Sequence, residues 1–118
     1  MAQQNEVSEI KNLLAPSFKG ELLDDETTRA SCANDASIFE VTPTLVAYPR
    51  DIEDIKVIVR TVSAHQDILP RPSITARAAG TGMAGGALTQ SIVLGMKNLN
   101  TIKEVTSSYV VTEPGVYY

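Results

Sequence analysis

A cluster of glycines constrains this chain more than any other feature of its sequence. Four of the seven glycines lie within residues 80–86, inside a segment, 77–87, that reads Arg-Ala-Ala-Gly-Thr-Gly-Met-Ala-Gly-Gly-Ala. Glycine accepts positive φ angles and leaves no side chain between main-chain N–H groups and a ligand, so such a segment can wrap an anion at contact distance. The alternative is a turn whose glycines relieve crowding, but their clustering favours an anion-binding loop.

The charge around the cluster also favours an anionic ligand. Between Asp67 and Glu104 there is no acidic residue, and two arginines and two lysines give this stretch a local charge of +4. The whole chain of 118 residues has 14 acids against 10 bases, a net charge of -4. That balance disfavours nucleic acid as the main partner, because binding a phosphate backbone needs clustered Lys and Arg. The sequence therefore predicts a local phosphate site in an acidic protein.

Familiar phosphate-loop patterns do not fit the cluster. Residues 80–85 match Gly-x-Gly-x-x-Gly, but a dinucleotide fingerprint needs a helix at the loop and a crossover of about 10 to 12 residues. Only residues 86–90 separate the glycines from the next predicted strand. No Lys-Ser or Lys-Thr pair follows, which excludes a Walker loop. The sequence indicates a strand-loop-strand anion cradle of another kind.

Hydrophobic patterning predicts the elements before the glycines. Apolar residues at helical spacing predict a short amphipathic helix that ends near Ala15, whereas the polar stretch 18–34 predicts loop or short turns. A β-prone run at 44–48, closed by a proline, predicts a buried strand. Residues 51–64 carry the strongest helical periodicity and begin with an Asp51 cap.

Short β-prone runs surround the glycines themselves. Residues 74–77 and 91–96 predict strands on either side of the loop, and 102–105 with 109–112 predict a hairpin. The change from a helical period to short β-branched runs predicts an α+β fold, with helices packed on a small mixed sheet.

Few residues carry catalytic or metal-binding chemistry. One cysteine, Cys32, and one histidine, His65, cannot build a Cys/His zinc cluster, so we expect no structural metal. Cys32 is explained as a small buried hydrophobe and His65 as a cation at a helix end, and no catalytic residue is assigned. No run reaches the roughly 18 apolar residues of a membrane span.

Several spaced segments together resemble the FAD-binding domain of the vanillyl-alcohol oxidase and p-cresol methylhydroxylase superfamily, in particular its glycolate oxidase and D-lactate dehydrogenase branch. The resemblance covers residues 22–118. Within it, the family's order is kept by Arg29, Asp35, Ala36, Ser37, Pro43, the runs 45–49 and 77–87, the strand 92–94, Met96, residues 99–100, Ile102 and the run 111–116. Ala78 departs from the family, which usually has glycine there.

The resemblance implies an FAD cofactor whose pyrophosphate is held by main-chain N–H groups of the glycine loop. The implied cofactor-binding residues are Arg77, Ala78, Ala79, Gly80, Thr81, Gly82, Met83, Gly85 and Gly86. In this assignment residues 78–82 donate their N–H groups, and Arg77 supports the loop. The implied fold is the first subdomain of an FAD-binding type 2 (PCMH-like) domain.

The resemblance also implies a domain organisation and a parent enzyme. Residues 1–21 are expected to form an N-terminal helix and linker, and residues 22–118 the N-terminal portion of a longer FAD-binding domain. The parent is expected to be a flavin-dependent oxidoreductase of a small 2-hydroxy acid, of the glycolate or D-lactate type, using the cofactor for the chemistry. Its expected location is cytoplasmic, peripheral to the inner face of a membrane.

Two further expectations concern the chain by itself. The 118-residue chain alone is expected to be inactive and, because it exposes apolar surface, to self-associate. A non-catalytic anion- or nucleotide-binding module and a plain structural domain are the alternatives that the sequence leaves open.

Overall fold

The computed structural model describes residues 2–68 and 70–117, with side chains from residue 8 onward. Helices and strands alternate up to residue 77, and the elements that follow are strands. The helices of this part are α1 (Ala2–Leu14), α2 (Glu26–Ser31) and α3 (Ile52–Ala64). The strands are β1 (Glu21–Leu23), β2 (Leu45–Tyr48), β3 (Ile74–Arg77), β4 (Ile92–Gly95), β5 (Ile102–Val105) and β6 (Val110–Thr112). The predicted strands, the hairpin and the two long helices are confirmed.

A four-stranded mixed sheet carries the glycine loop. Its order is β1-β2-β4-β3, with β2, β4 and β3 parallel and β1 antiparallel at one edge. Ile74 lies opposite Ile92 and Arg77 opposite Gly95, so the chain must return along the whole strand between β3 and β4. Residues 78–91 make this return without a helix. The predicted mixed sheet and strand-loop-strand arrangement are therefore confirmed.

The core lies between the sheet and the helix pair α1 and α3. Alternate residues of a strand point to opposite faces, so one face of β2 and β4 buries its side chains against the helices. This main cluster contains Ile10, Leu14, Phe18, Leu45, Ala47, Ile58, Val62, Ile92 and Leu94. On the other face, Val46 and Val93 pack with the buried Cys32. The sequence interpretation of Cys32 as a small buried hydrophobe is confirmed.

The prediction that residues 18–34 form loop or short turns is wrong for two segments, because this stretch contains β1 and α2. Strand β1 is stabilised by its pairing with β2, where Leu22 lies opposite Ala47. Helix α2 begins at a cap, since the Asp25 carboxylate accepts the Thr28 main-chain N–H at 2.9 Å. That hydrogen bond is the largest cause of the lowered pKa of Asp25.

The β5-β6 hairpin stands apart from the main sheet as a separate two-stranded sheet. Its turn is held by Thr106, whose Oγ1 accepts the Tyr109 main-chain N–H at 2.9 Å. The chain then returns to the main body, where the Gly115 N–H donates to the Leu99 carbonyl at 2.7 Å. Among the described helices, none is both long enough and apolar enough to cross a bilayer.

Candidate functional site

The glycine loop leaves β3 at Arg77 and takes its shape from two glycines. Gly80 has a φ of 70° and Gly85 a φ of 77°, a region that favours glycine, and no other residue of the described chain has a positive φ. Ala78 therefore fits the loop although the family usually has glycine there. At Gly82 and Gly86 an added Cβ meets no atom within 4 Å, so the loop surface is open at both positions.

The main-chain N–H groups of residues 78–84 are the principal feature of the loop. Within the described ranges, none of them donates a hydrogen bond to the protein. The loop is attached instead through carbonyls: Gly82 accepts the Ala36 N–H at 3.1 Å, and Gly85 accepts the Leu88 N–H at 3.1 Å. Most of these residues are exposed, so their N–H groups can donate to water or, in its place, to a ligand.

The Arg77 side chain supports the loop through hydrogen bonds to main-chain carbonyls of a neighbouring segment. Its guanidinium donates to the Asn34 carbonyl at 2.8 Å and to the Cys32 carbonyl at 3.4 Å. An added Cβ on Gly80 would clash with Nη2 of the same guanidinium, so the side chain passes directly under the loop. The supporting role expected for Arg77 agrees with this geometry.

The segment 35–39 lies against the loop, and the resemblance inferred from the sequence, which includes residues 35–37, gives it no role in the site. The Asp35 carboxylate accepts the Ser37 N–H at 2.8 Å, and Ser37 Oγ accepts the Phe39 N–H at 3.1 Å. The Phe39 ring comes within 3.1 Å of a Cβ built on Gly85. The hydrogen bonds from Ser37 are the main cause of a lowered Asp35 pKa, and the Gly85 N–H and the Arg77 charge lower it further. The Asp-x-Ser pattern in the sequence is typical of a turn. Which residues this turn contacts is determined only by the fold.

The prediction of a local charge of +4 at the loop is corrected by the structure, which disperses the basic residues. Lys97 lies 3.6 Å from the centre of the Tyr48 ring and 3.6 Å from a Glu21 oxygen. Lys103 lies 3.9 Å from Glu113. Of the four basic residues, Arg77 is the one that contacts the loop in the described part of the chain. An anion here is therefore recognised mainly by N–H dipoles.

A cleft of about 350 Å³ lies elsewhere, at the amino ends of the parallel strands. It is lined by Ile10, Thr44, Leu45, Ile68, Pro70, Arg71, Pro72, Ser73, Thr89, Gln90, Ser91 and Ile92. Several of its polar groups already pair with one another, since Thr44 donates to the Ser91 carbonyl at 2.9 Å and Ser91 Oγ accepts the Ser73 N–H at 2.9 Å. No residue of the segment 77–87 lines this cleft.

The glycine loop fits a pyrophosphate group by its donor chemistry. A pyrophosphate presents only acceptor oxygens, and the loop offers N–H groups without internal acceptors and glycines that leave room for close approach. The nearby acid, Asp35, has its Oδ2 atom buried. Its other oxygen, Oδ1, accepts the Ser37 N–H at 2.8 Å, so the carboxylate is held by its own turn. The fold and this loop define a nucleotide-binding domain of the flavin type.

Family comparison agrees with this class. Residues 43–118 match the family described as FAD binding domain, and this match covers more than half of the chain. The chain therefore belongs to the FAD-binding domain family. It is also 31% identical over 110 residues to the D-2-hydroxyglutarate dehydrogenases of Pantoea ananatis (strain AJ13355) and Escherichia coli (strain K12). The alignments cover 91% of this chain, which spans 11% of the length of each relative.

Solved structures of flavoenzymes share the fold. p-Cresol methylhydroxylase with substrate bound superposes with a TM-score of 0.69 at 17% identity, covering 95% of this chain and 22% of that one. The isoeugenol complex of 4-ethylphenol oxidase from Gulosibacter chungangensis gives a TM-score of 0.67 at 21% identity, covering 98% and 23%. The expected PCMH-like FAD-binding fold and the FAD cofactor are confirmed.

Proposed function

We propose that this chain holds the pyrophosphate of FAD within an oxidoreductase that oxidises a 2-hydroxy acid. The observation that carries the proposal is the row of main-chain N–H groups at residues 78–84, which have no acceptor in the described part of the chain. The substrate class is supported by the relatives that are named D-2-hydroxyglutarate dehydrogenases. Glycolate, D-lactate and D-2-hydroxyglutarate all belong to this class.

In this proposal the chain binds the pyrophosphate of FAD and thereby orients the cofactor. The N–H groups of residues 78–82 would donate to the pyrophosphate oxygens, and the exposed Thr81 adds a hydroxyl beside them. Gly82 and Gly86 keep the surface free of side chains. Arg77 holds the loop from below rather than reaching over it. FAD, when bound, supplies the ring that accepts the hydride from the hydroxyl-bearing carbon of the substrate.

A titration followed by amide NMR tests the pyrophosphate assignment directly. FAD and ADP both contain a pyrophosphate, whereas riboflavin contains none. We expect FAD and ADP to shift the amide resonances of residues 78–86, and riboflavin to leave them unchanged. Shifts confined to the cleft between Arg71 and Gln90, or equal shifts with riboflavin, would contradict the assignment.

Substitution of Gly82 separates binding from folding. A methyl group at Gly82 meets no protein atom, so the fold tolerates Gly82→Ala, but the methyl occupies the surface that a pyrophosphate must approach. We expect FAD affinity to fall about tenfold with an unchanged melting temperature, the equivalent of losing one charge-assisted hydrogen bond. The matched control, Ser107→Thr, adds one methyl at the exposed hairpin turn and should leave affinity unchanged.

The substrate class is tested on the whole protein that contains this chain. Anaerobic addition of glycolate, D-lactate or D-2-hydroxyglutarate should bleach the flavin absorbance with at least one of them. A flavoprotein that none of these acids reduces would contradict the 2-hydroxy acid proposal while leaving FAD binding intact.

A further inference from the structure

We propose that Asp35 is a positioning residue of the FAD site, which fixes the glycine loop in its binding shape from inside the protein. This inference rests on the proposed function of the loop. It assigns a role to a carboxylate that lies outside the loop and would not contact the pyrophosphate itself.

The two carboxylate oxygens of Asp35 have different environments. Oδ1 accepts the Ser37 N–H at 2.8 Å and thereby forms the turn at residues 35–37. Oδ2 is buried and has no hydrogen-bond partner among the described residues. A buried acceptor without a partner requires an explanation. After the stronger hydrogen bonds from Ser37, the Gly85 N–H and the Arg77 charge also lower the pKa of this carboxyl, and both belong to the glycine segment.

The segment 34–39 forms a second wall against the loop. Three contacts join the two: Arg77 donates to the Asn34 carbonyl at 2.8 Å, the Ala36 N–H donates to the Gly82 carbonyl at 3.1 Å, and the Phe39 ring packs over Gly85. Asp35 lies between the first two contacts in the chain. Its carboxylate therefore acts where the wall and the loop meet.

The charge of Asp35 has a definite consequence for the loop. The Gly85 N–H and the Arg77 charge both favour the ionised carboxylate, so loss of the charge removes an attraction between the wall and the glycine segment. The Asp35 charge also compensates the Arg77 charge, which leaves the main-chain dipoles as the groups that face an anion. A neutral side chain of the same shape would lose both effects while preserving the turn.

Asp35→Asn tests the charge of Asp35 separately from its turn. The amide oxygen can still accept the Ser37 N–H, while an NH₂ group replaces Oδ2. The variant therefore removes the charge and puts an NH₂ group at the buried position of Oδ2, while the turn is kept. We expect FAD affinity to fall about tenfold. We also expect the NMR order parameters of residues 82–86 to fall below about 0.6, from a rigid value in the native chain. Asp35→Ser retains an oxygen that can accept the Ser37 N–H but has no charge, so it should lower the affinity and the order parameters in the same way as Asp35→Asn.

Two controls separate positioning from mere turn stability. Asp25→Asn makes the same change at a cap carboxylate that also accepts a main-chain N–H but lies outside the segment 34–39, and Asp67→Asn removes an exposed charge. Both should retain the native order parameters and affinity. Equal effects of Asp25→Asn and Asp35→Asn, or a loop already mobile in the native chain, would overturn the proposal. The order parameters need no ligand, so they test Asp35 even if the chain fails to bind FAD.

Discussion

At the scale of single residues, the sequence identifies the parts of the site that are contiguous and misses the part that the fold adds. The glycines and Arg77 are neighbours in the chain, so the sequence alone indicates that they belong to one anion-binding loop. Asn34, to which Arg77 donates, is 43 positions away. The Asp-x-Ser pattern at residue 35 indicates a turn, but no local signal shows that this turn lies against the loop. Burial and pairing set that neighbourhood only in the folded chain.

Tyr48 makes a residue-scale prediction about stability at high pH. Burial, followed by the nearby Cys32, raises the pKa of Tyr48 from 10.0 to about 12. The folded state thus favours the neutral phenol, and this contribution is complete below the unfolded pKa. We expect it to be lost as pH rises from about 10 towards about 12.

Urea unfolding between about pH 8 and pH 11 measures this loss. Tyr48→Phe should flatten the decline in unfolding free energy, whereas Tyr117→Phe, at a residue that is 84% exposed, should retain it. An unchanged slope in Tyr48→Phe would contradict the assignment.

At the scale of elements, local signals predict those segments that are stabilised locally. Helix α3 has both an Asp51 cap, whose carboxylate accepts the Asp54 N–H at 3.1 Å, and a sustained apolar stripe. The β5-β6 hairpin is likewise held by its own turn. In contrast, β1 has three residues and depends on β2, which is distant in sequence. Pairing of this kind has no short-range pattern, which explains why β1 was not predicted.

Asp54 in the first turn of α3 gives an element-scale prediction. It is 1% exposed, and its two oxygens accept the Lys19 N–H and the Arg50 N–H, each at 2.8 Å. It therefore joins the segments before β1 and α3. Asp54→Ala leaves both N–H groups unpaired, and we expect a loss of about 1 to 3 kcal/mol for each in the free energy of unfolding.

Denaturant melts of three variants check the role of Asp54. Asp54→Asn keeps one acceptor oxygen and should lie between the native chain and Asp54→Ala. Glu53→Ala, in the same turn, breaks only an exposed pair with Lys56 and should cost less than about 1 kcal/mol. Equal losses for Asp54→Ala and Glu53→Ala would show that the two hydrogen bonds do not stabilise the junction.

At the scale of the whole molecule, the β5-β6 hairpin exposes apolar side chains that a stable protein usually covers. Ile102 is 57% exposed, Val105 70% and Val110 54%. A two-stranded sheet is also marginally stable in water. We therefore expect concentration-dependent self-association of the chain, detectable by sedimentation velocity. Val105→Lys with Val110→Lys should weaken it, because each substitution replaces exposed apolar surface with a charge that association would have to desolvate.

Val59→Lys is the matched control for this association. Val59 is 49% exposed on α3, outside the hairpin, so its substitution should leave the sedimentation coefficient unchanged. A native chain that stays monomeric at all concentrations would contradict the prediction, as would equal effects of the helix and hairpin substitutions.

The last prediction concerns how much of FAD this chain can bind by itself. The loop offers N–H groups to the pyrophosphate, and the cleft of about 350 Å³ lies elsewhere, so the adenine and flavin rings gain few contacts. A few charge-assisted hydrogen bonds contribute about 1.5 to 3 kcal/mol each, and immobilising a ligand costs at least about 4 kcal/mol. We expect affinity weaker than micromolar, and FAD and ADP to bind within about tenfold of each other. Titration calorimetry with both ligands checks this. Tight FAD binding with weak ADP binding, or turnover with an artificial electron acceptor, would show that the chain also holds the flavin ring.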